Sequence, residues 1–341
     1  MIDERPRASV LVPVWNEEAH LEETLEAILT QRFDRGLEVL VIDGGSTDRT
    51  AEIASRFARE DPRVRILANP KQLIPNALNI GLRDARGDYV VRMDAHTHYP
   101  PDYIARGVER LEAGGVECVS GPPIPRGINS WSRRVALALG TRVGVGSGMF
   151  KRPHEEMEVD TTYTGVWRRS TLAELGGWDE GWPINEDSEL CIRIIEAGGK
   201  SVAIPSMAAN YVPRRSLPAL AKQYARYGHY RAKTARHHPL GLRRSHLLAP
   251  GVTLAVAAAL VPLGTLQRAA RRVLPIYAGA LAVGTAEAAI KADRADPRDL
   301  AWLPAVFAVM HLSWGAGFLV GCLRWGPPLA AIRRVLGYRE G

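Results

Sequence analysis

Leu37-Glu38-Val39-Leu40-Val41-Ile42-Asp43-Gly44-Gly45-Ser46-Thr47-Asp48 is the stretch that decides the fold class. Its first six residues are apolar apart from Glu38, as in a strand covered on both faces. The run stops at a carboxylate and two glycines, and Ser46 or Thr47 then offers an N-cap for a helix reaching to about Glu60. The same alternation extends outward. Ala8 to Pro13 reads as a strand. Glu17 to Gln31 reads as an amphipathic helix with Leu21, Leu25, Ile28 and Leu29 on one face. Val64 to Leu67 and Tyr89 to Met93 read as further strands, and Ile74 to Ala85 as a helix. This βαβα order predicts an α/β fold with a mostly parallel sheet and helices on both faces. In such sheets ligands bind beyond the carboxyl ends of the strands, so Asp43 and Asp94, each closing a strand, point at a site. Asp187, in Asn185-Glu186-Asp187, is a third carboxylate, which joins them only if the fold brings it there.

With 341 residues the chain holds one large domain plus an appendage. Cys118, Cys191 and Cys322 lie far apart without a CxxC pair, which argues against a zinc site or a disulfide framework and fits a reducing compartment. The first residues, Met-Ile-Asp-Glu-Arg-Pro-Arg, contain no apolar export segment, so the N-terminal part is expected in the cytosol. The net charge of +7 invites a nucleic-acid reading. The basic residues, however, are read as dispersed, the aromatic RNA-binding motifs are absent, and about half of the excess is expected after residue 213 beside apolar segments. No nucleic acid is expected as a partner, and an anionic membrane surface is the better one.

The C-terminal third changes character. Leu247 to Leu266, Val273 to Ile290 and Leu300 to Leu323 are rich in Ala, Leu, Val and Gly, and each is close to the ~20 residues that span a bilayer. Buried core helices are the alternative, but three such stretches leave little polar surface for a soluble domain. The connections nearly tie in Lys and Arg, so one segment is a candidate for a re-entrant or interfacial position. The expected organisation is a catalytic domain over 1–215, an amphipathic interface region over 216–245, a membrane region over 246–323 and a basic tail over 324–341.

Six blocks carry a family resemblance. They are Val12-Pro13-Val14-Trp15-Asn16-Glu17-Glu18, Val41 to Asp48, Asn76-Ala77-Leu78-Asn79-Ile80-Gly81-Leu82, Gly87 to His96 with Met93-Asp94-Ala95-His96, Gly176-Gly177-Trp178-Asp179-Glu180 and Asn185-Glu186-Asp187. In this order the chain resembles family 2 glycosyltransferases of the GT-A fold. Asp-Ala-His, Val159-Asp160-Thr161, Tyr211-Val212-Pro213-Arg214 and the hydrophobic tail are most similar to the succinoglycan biosynthesis (ExoA-like) subgroup.

The resemblance implies inverting transfer of a sugar from a UDP-sugar. Asp43 would accept a hydrogen bond from the uracil imide, with Pro13, Val14 and Glu17 lining the nucleoside pocket, Gly44 allowing close backbone approach, and Asn79 also among the substrate-binding residues. Asp43 as a turn cap is the alternative. Asp94 and His96 stand where the family has Asp-x-Asp and would hold a divalent metal. Imidazole in place of the second carboxylate suits Mn²⁺ better than Mg²⁺, with His98 as a substitute ligand. Asp187 would be the general base, with Glu186 in the substrate site close enough to raise its pKa. The alternative, acids favoured in the first turn of the apolar helix that follows, is compatible with that role.

Ser216 to Ala235 reads as an amphipathic helix on the membrane surface. Leu217, Leu220, Tyr224 and Tyr227 fall on one face, and Lys222, Arg226, His229 and Lys233 on the other. Within it, Gln223, Arg226 and Tyr227 resemble the Gln-x-x-Arg-Trp motif that binds acceptor or departing diphosphate in processive polymerases, with Tyr for Trp. Single addition to a polyprenyl-diphosphate-linked glycan in cell-surface or exopolysaccharide synthesis is the favoured reading, and a processive synthase the alternative. Arg126, Arg133, Arg134, Arg142, Lys151 and Arg152, flanking Val135 to Phe150, are candidates to cradle the lipid diphosphate or are solvated loop charges. The expected place is the cytoplasmic membrane with the catalytic domain in the cytosol, beside other polysaccharide-assembly proteins. A nucleotidyltransferase would carry a Gly-rich basic loop that Val-Pro-Val-Trp-Asn-Glu lacks, and the three intact carboxylates argue against an inactive membrane scaffold.

Overall fold

The computed structural model describes residues 5–145, 154–262, 264–292 and 295–337. In chain order the elements are β1 (Ala8–Val14), α1 (Leu21–Leu29), β2 (Leu37–Asp43), α2 (Thr50–Glu60), β3 (Val64–Ala68), α3 (Ile74–Asp84), β4 (Tyr89–Arg92), β5 (Thr97–His98), α4 (Tyr103–Glu112), β6 (Cys118–Ser120) and β7 (Pro123–Pro125). Two helices follow, α5 (Ser130–Leu139) and α6 (Arg142–Val145). Next come β8 (Met157–Glu158), β9 (Gly165–Arg168), α7 (Arg169–Glu174), α8 (Glu186–Glu196), β10 (Ser201–Ala203) and β11 (Ala209–Tyr211). The chain ends in helices, α9 (Leu217–His237), α10 (Leu248–Leu260), α11 (Thr265–Lys291), α12 (Pro297–Ala301), α13 (Leu303–Trp325) and α14 (Leu329–Leu336). These elements form two compact units, residues 1–124 with 150–211 and residues 125–149 with 212–341.

The first unit is built on an eight-stranded sheet in the order β3-β2-β1-β4-β9-β6-β10-β8. The pairs β3-β2, β2-β1, β1-β4 and β6-β10 are parallel, whereas β9 runs antiparallel to both β4 and β6. The parallel half follows from crossovers through α1, α2 and α3, each of which returns the chain to start the next strand at the same end of the sheet. Side-chain alternation divides the core into two layers. Val10, Val12, Val39, Val41 and Val91 pack with Leu21, Leu25, Phe57 and Ile104, while Leu11, Leu40, Ile42 and Val90 pack with Leu78, Trp178, Leu190 and Ile194. Helices α1, α2 and α4 therefore cover one face, and α3 and α8 the other. A second sheet has the order β5-β11-β7.

Two local expectations are corrected. Helix α1 is shorter than 17–31, because residues after Glu17 form a turn first. Neither Ser46 nor Thr47 caps α2. The hydroxyls of both are engaged elsewhere, Arg49 is the cap residue, and Asp48 Oδ1 accepts the Thr50 N–H at 3.0 Å.

The second unit contains the apolar helices. Among the described residues, the three expected membrane segments become two helices long and apolar enough to cross a bilayer, Thr265–Lys291 with mean hydropathy 1.5 and Pro297–Trp325 with mean hydropathy 1.8. The third, α10, has 13 residues, about 20 Å of helix, which falls short of a hydrocarbon core of roughly 30 Å. Ile276, Val283 and Ile290 of α11 are mostly exposed, an apolar surface that water covers poorly. Residues 214–341 hold 19 Lys and Arg against 5 Asp and Glu, so the basic excess lies entirely in this part and the preceding part is acidic.

Helix α9 buries Leu220 and exposes Lys222 and Arg226 as its pattern predicts, but two positions depart from it. Lys233 is buried with its ammonium 5.0 Å from the Trp325 ring centre, whereas Tyr227 is exposed. Small residues decide the contact. A Cβ on Gly228 would lie 1.9 Å from the Trp314 carbonyl oxygen, and one on Gly317 2.0 Å from that of Ala225, so the backbones of α9 and α13 touch where neither helix has a side chain. At the start of the α12–α13 span, buried Asp299 accepts from Arg133 Nε (3.2 Å) and Arg134 Nε (2.8 Å), and the Arg134 guanidinium stacks on Trp131 and Trp302. The expected partners Lys151 and Arg152 lie outside the described residues.

Candidate active site

The carboxyl ends of β1, β2 and β4 carry the residues that the sequence singles out. Asp43 ends β2 opposite Val14 of β1. It accepts the Ser46 hydroxyl at 2.6 Å and the Ser46 N–H at 3.1 Å, so the turn-capping role is realised. Gly45, at φ +74°, makes that turn possible. Ser46 Oγ also accepts the Asn16 N–H at 2.9 Å, and Thr50 Oγ1 accepts the Glu17 N–H at 2.7 Å, which fixes the loop after β1 against the loop after β2. Gly44 packs on Val14 and Trp15, Pro13 and Val14 end β1, and Glu17 lies in the loop that follows it.

Asp94 follows β4 and is 6% exposed. Its N–H donates to the Tyr99 hydroxyl at 2.7 Å, and both its oxygens accept from Arg92, from Nε at 2.8 Å and from Nη2 at 3.1 Å. The third arm of the same guanidinium, Nη1, reaches Glu186 Oε1 at 3.0 Å. Burial alone would lower the Arg92 pKa, but Asp94 and then Glu186 reverse this and hold it well above the ordinary value. Burial, followed by the Asp94 charge, pushes the Tyr99 and Tyr163 hydroxyls upward, so both stay protonated. His96 Nδ1 faces Glu17 Oε1 at 3.3 Å, and Nε2 lies 3.3 Å from the Tyr163 hydroxyl. His98 instead faces Glu23 of α1 at 3.4 Å.

Asp187 sits in the first turn of α8, whose cap residue Asn185 is left-handed at φ 64°, and its Oδ1 accepts the Ser188 N–H at 2.6 Å. The acids at this helix start satisfy the helix-terminus reading. Glu186 beside it is buried and committed to Arg92. Asn79 bridges two segments of the catalytic unit. Its amide donates to the Trp178 carbonyl at 2.7 Å and accepts the Trp178 N–H at 2.9 Å, joining α3 to the Gly-Gly-Trp-Asp segment. Gln223, Arg226 and Tyr227 lie on α9 in the second unit, where Gln223 Nε2 donates to the Tyr227 hydroxyl at 2.8 Å.

Arg92, Tyr99 and Tyr163 went unread in the sequence. For Arg92 the signal is present, since a charged residue inside Tyr89-Val90-Val91-Arg92-Met93 must find buried partners. Tyr99 and Tyr163 give no such sign. A cavity of about 500 Å³ lined by Gln31, Phe33, Arg35 and Glu109 lies by the start of β2, at the opposite end of the strand from Asp43, and its charged lining marks a solvated cleft.

The chain is 32% identical over 314 residues to the succinoglycan biosynthesis protein ExoA of Rhizobium meliloti, covering 91% of this chain and 93% of that one. It belongs to glycosyl transferase family 2. The family profile matches residues 9–172 of this glycosyltransferase. It is also 24% identical over 228 residues, 64% of this chain and 71% of the other, to the dolichyl N-acetyl-alpha-D-glucosaminyl phosphate 3-beta-D-2,3-diacetamido-2,3-dideoxy-beta-D-glucuronosyltransferase of Methanococcus voltae. Among solved structures, the mannosyltransferase PcManGT of Pyrobaculum calidifontis, in complex with GDP-Man and Mn²⁺, matches at TM-score 0.56 and 22% identity, over 98% of this chain and 88% of its own. The family 2 glycosyltransferase described here thus has the GT-A fold, with a mixed, mostly parallel sheet.

Proposed function

We propose that this glycosyltransferase is a membrane-anchored inverting enzyme that moves a sugar from a UDP-sugar to a hydroxyl of a polyprenyl-diphosphate-linked glycan. The observation that carries the reading is the Arg92 guanidinium bonding Asp94 and Glu186, which brings the start of α8, and with it Asp187, to the carboxyl end of β4. A donor-side and an acceptor-side carboxylate are needed close together in a single displacement. Asp43, at the end of β2, receives the uracil imide, with Pro13, Val14, Glu17 and Gly44 beside it. Asp187 takes the acceptor proton.

Asp94 and His96 fit a divalent cation. Each Asp94 oxygen spends one acceptor direction on Arg92 and keeps another, and one carboxylate with one imidazole leaves most coordination positions to phosphate and water. That mixed donor set favours Mn²⁺ over Mg²⁺. When bound, the cation neutralises the departing diphosphate, and the residues orient it.

Two apolar helices of spanning length, the exposed apolar surface of α11 and the basic character of residues 214–341 support anchoring in a cytoplasmic membrane with the catalytic unit in the cytosol. The dolichyl sugar phosphate in the archaeal relative's name supports a lipid-linked acceptor, and the succinoglycan relative supports exopolysaccharide synthesis with other assembly proteins. Two spanning helices offer little material for a polymer channel, which favours single addition. The test is nucleoside diphosphate release by the full chain in vesicles, with a panel of UDP-sugars and GDP-sugars and polyprenyl-diphosphate-sugar acceptors. Acceptor-dependent release with one UDP-sugar is expected, and release only from GDP-sugars, or none with any donor, refutes the reading.

A further inference from the structure

The α12–α13 helix is long and apolar enough to cross a bilayer, yet both of its ends are bound to polar segments of its own unit. We propose that α13 does not cross. It lies along the membrane face that carries the catalytic unit, with its apolar side in one leaflet, and the loop before it and the tail after it stay on that face. This rests on the membrane-anchored reading above.

The start of the helix gives the first constraint. Asp299, in α12, accepts from Arg133 Nε at 3.2 Å and Arg134 Nε at 2.8 Å. The Arg142 N–H donates to Glu287 near the end of α11 at 2.9 Å, and His311 Nε2 of α13 lies 2.9 Å from the Val143 carbonyl oxygen. Arg133, Arg134, Arg142 and Val143 all belong to residues 125–149, a segment joined at both ends to the catalytic unit. Five residues separate Ile124 of the catalytic unit from α5, a reach of about 17 Å against a hydrocarbon core of roughly 30 Å. The connection from α11 to α12 therefore sits on the catalytic face.

The other end gives the second constraint. Gly317 packs on Ala225, Gly321 on His229 and Ala232, and Gly326 faces Arg236, so α9 and α13 run side by side in the same direction. Trp325 Nε1 donates to His229 Nε2 at 3.3 Å, with the Lys233 ammonium 5.0 Å from the same ring system. Helix α9 begins five residues after Tyr211 of the catalytic unit and carries Lys222, Arg226, Arg231, Lys233 and Arg236 without an acid. Hydrocarbon does not accept that load, so α9 stays at headgroup level and keeps the second half of α13 there with it.

Neither count of crossings satisfies both ends. If α11 and α13 both crossed from the catalytic face, Asp299 would lie on the far side from Arg133 and Arg134. If α10 crossed as well, Trp325 would lie on the far side from α9. The uncovered surface of α13 is apolar, with Val320 55% and Leu323 88% exposed on turns whose glycines face α9. An in-plane helix turns such a side to the acyl chains.

The test is labelling of single cysteines by a membrane-impermeant maleimide, on the full chain in sealed vesicles of either orientation. Cys118 and Cys191 are buried and stay unlabelled, and Cys322→Ala removes the third thiol. In that background, Ala295→Cys reports the loop before α13, Arg333→Cys the tail after it, and Glu60→Cys on α2 the face of the catalytic unit. All three should label from one face. Labelling of Ala295→Cys or Arg333→Cys from the face opposite to Glu60→Cys, or only after detergent, overturns the proposal. Arg298→Cys and Ala330→Cys, both at exposed positions, replace a variant that fails to fold and are judged the same way. Flotation of the vesicles in a density gradient separates the two readings. A chain that does not float refutes the membrane anchor and the proposal with it, whereas a floating chain labelled from opposite faces refutes only the in-plane course of α13.

Discussion

His96 Nδ1 lies 3.3 Å from Glu17 Oε1, which ties the loop after β4 to the loop after β1, two strands that are neighbours in the sheet. The contact turns one edge of the imidazole to a carboxylate and leaves Nε2 on the opposite edge, near Tyr163. A carboxylate on Nδ1 fixes the tautomer that presents Nε2 as an acceptor, as in many metal sites.

His96→Ala should therefore erase a Mn²⁺ preference more than it lowers the rate with Mg²⁺. The measurement is donor turnover with each ion alone. Wild-type activity with Mg²⁺ equal to or above that with Mn²⁺ would remove His96 from the ligand set.

Asp187→Asn keeps the shape of the α8 terminus and deletes the proton acceptor. Transfer should drop by about 10²-fold or more while UDP-sugar affinity stays within about twofold of wild type. A variant that keeps more than about a tenth of the rate excludes the general-base role.

Asp43 bonds Ser46 twice, so a change there can act through the nucleotide or through the turn. Asp43→Asn should weaken UDP binding by about tenfold or more, the usual scale for losing a charged hydrogen-bond acceptor. Ser46→Ala removes the hydroxyl that donates to Asp43 and disturbs the same turn, but keeps the carboxylate itself. Equal losses in both variants, measured by calorimetry, would assign Asp43 to the turn alone.

Asn79 satisfies both backbone groups of Trp178, a fully packed side chain of the α3–α8 layer. Asn79→Ala should lower stability by about 1–3 kcal/mol and leave donor affinity unchanged once folded, as thermal unfolding and UDP titration would reveal. Loss of donor affinity without loss of stability would assign Asn79 to the substrate site and not to packing.

Gly228 and Gly317 let α9 and α13 touch backbone to backbone. Gly228→Leu should separate the helices and lower the melting temperature of the second unit in detergent by several degrees, since overpacking costs about 1–3 kcal/mol. An unchanged melting temperature would show that this packing contributes nothing to stability.

The sequence alone determined the parallel half of the sheet, because β1, β2 and β4 are short apolar runs that stop at loops and read through their own alternation. It also fixed the family, through blocks of residues whose order survives in one dimension. It was silent on what depends on neighbours distant in the chain. The antiparallel insertion of β9 needs a strand 73 positions beyond Arg92 to return beside β4, as Arg92 pairing with Gly165 records. Helix α9 docks by glycines and alanines, which a hydrophobic pattern does not mark as a face. Most of all, only the tertiary structure decided that Arg92 joins Asp94 to Glu186. A buried charge is stable only beside its counter-charges, and a linear pattern gives its presence but not which carboxylates, 94 residues away in this case, will come to meet it.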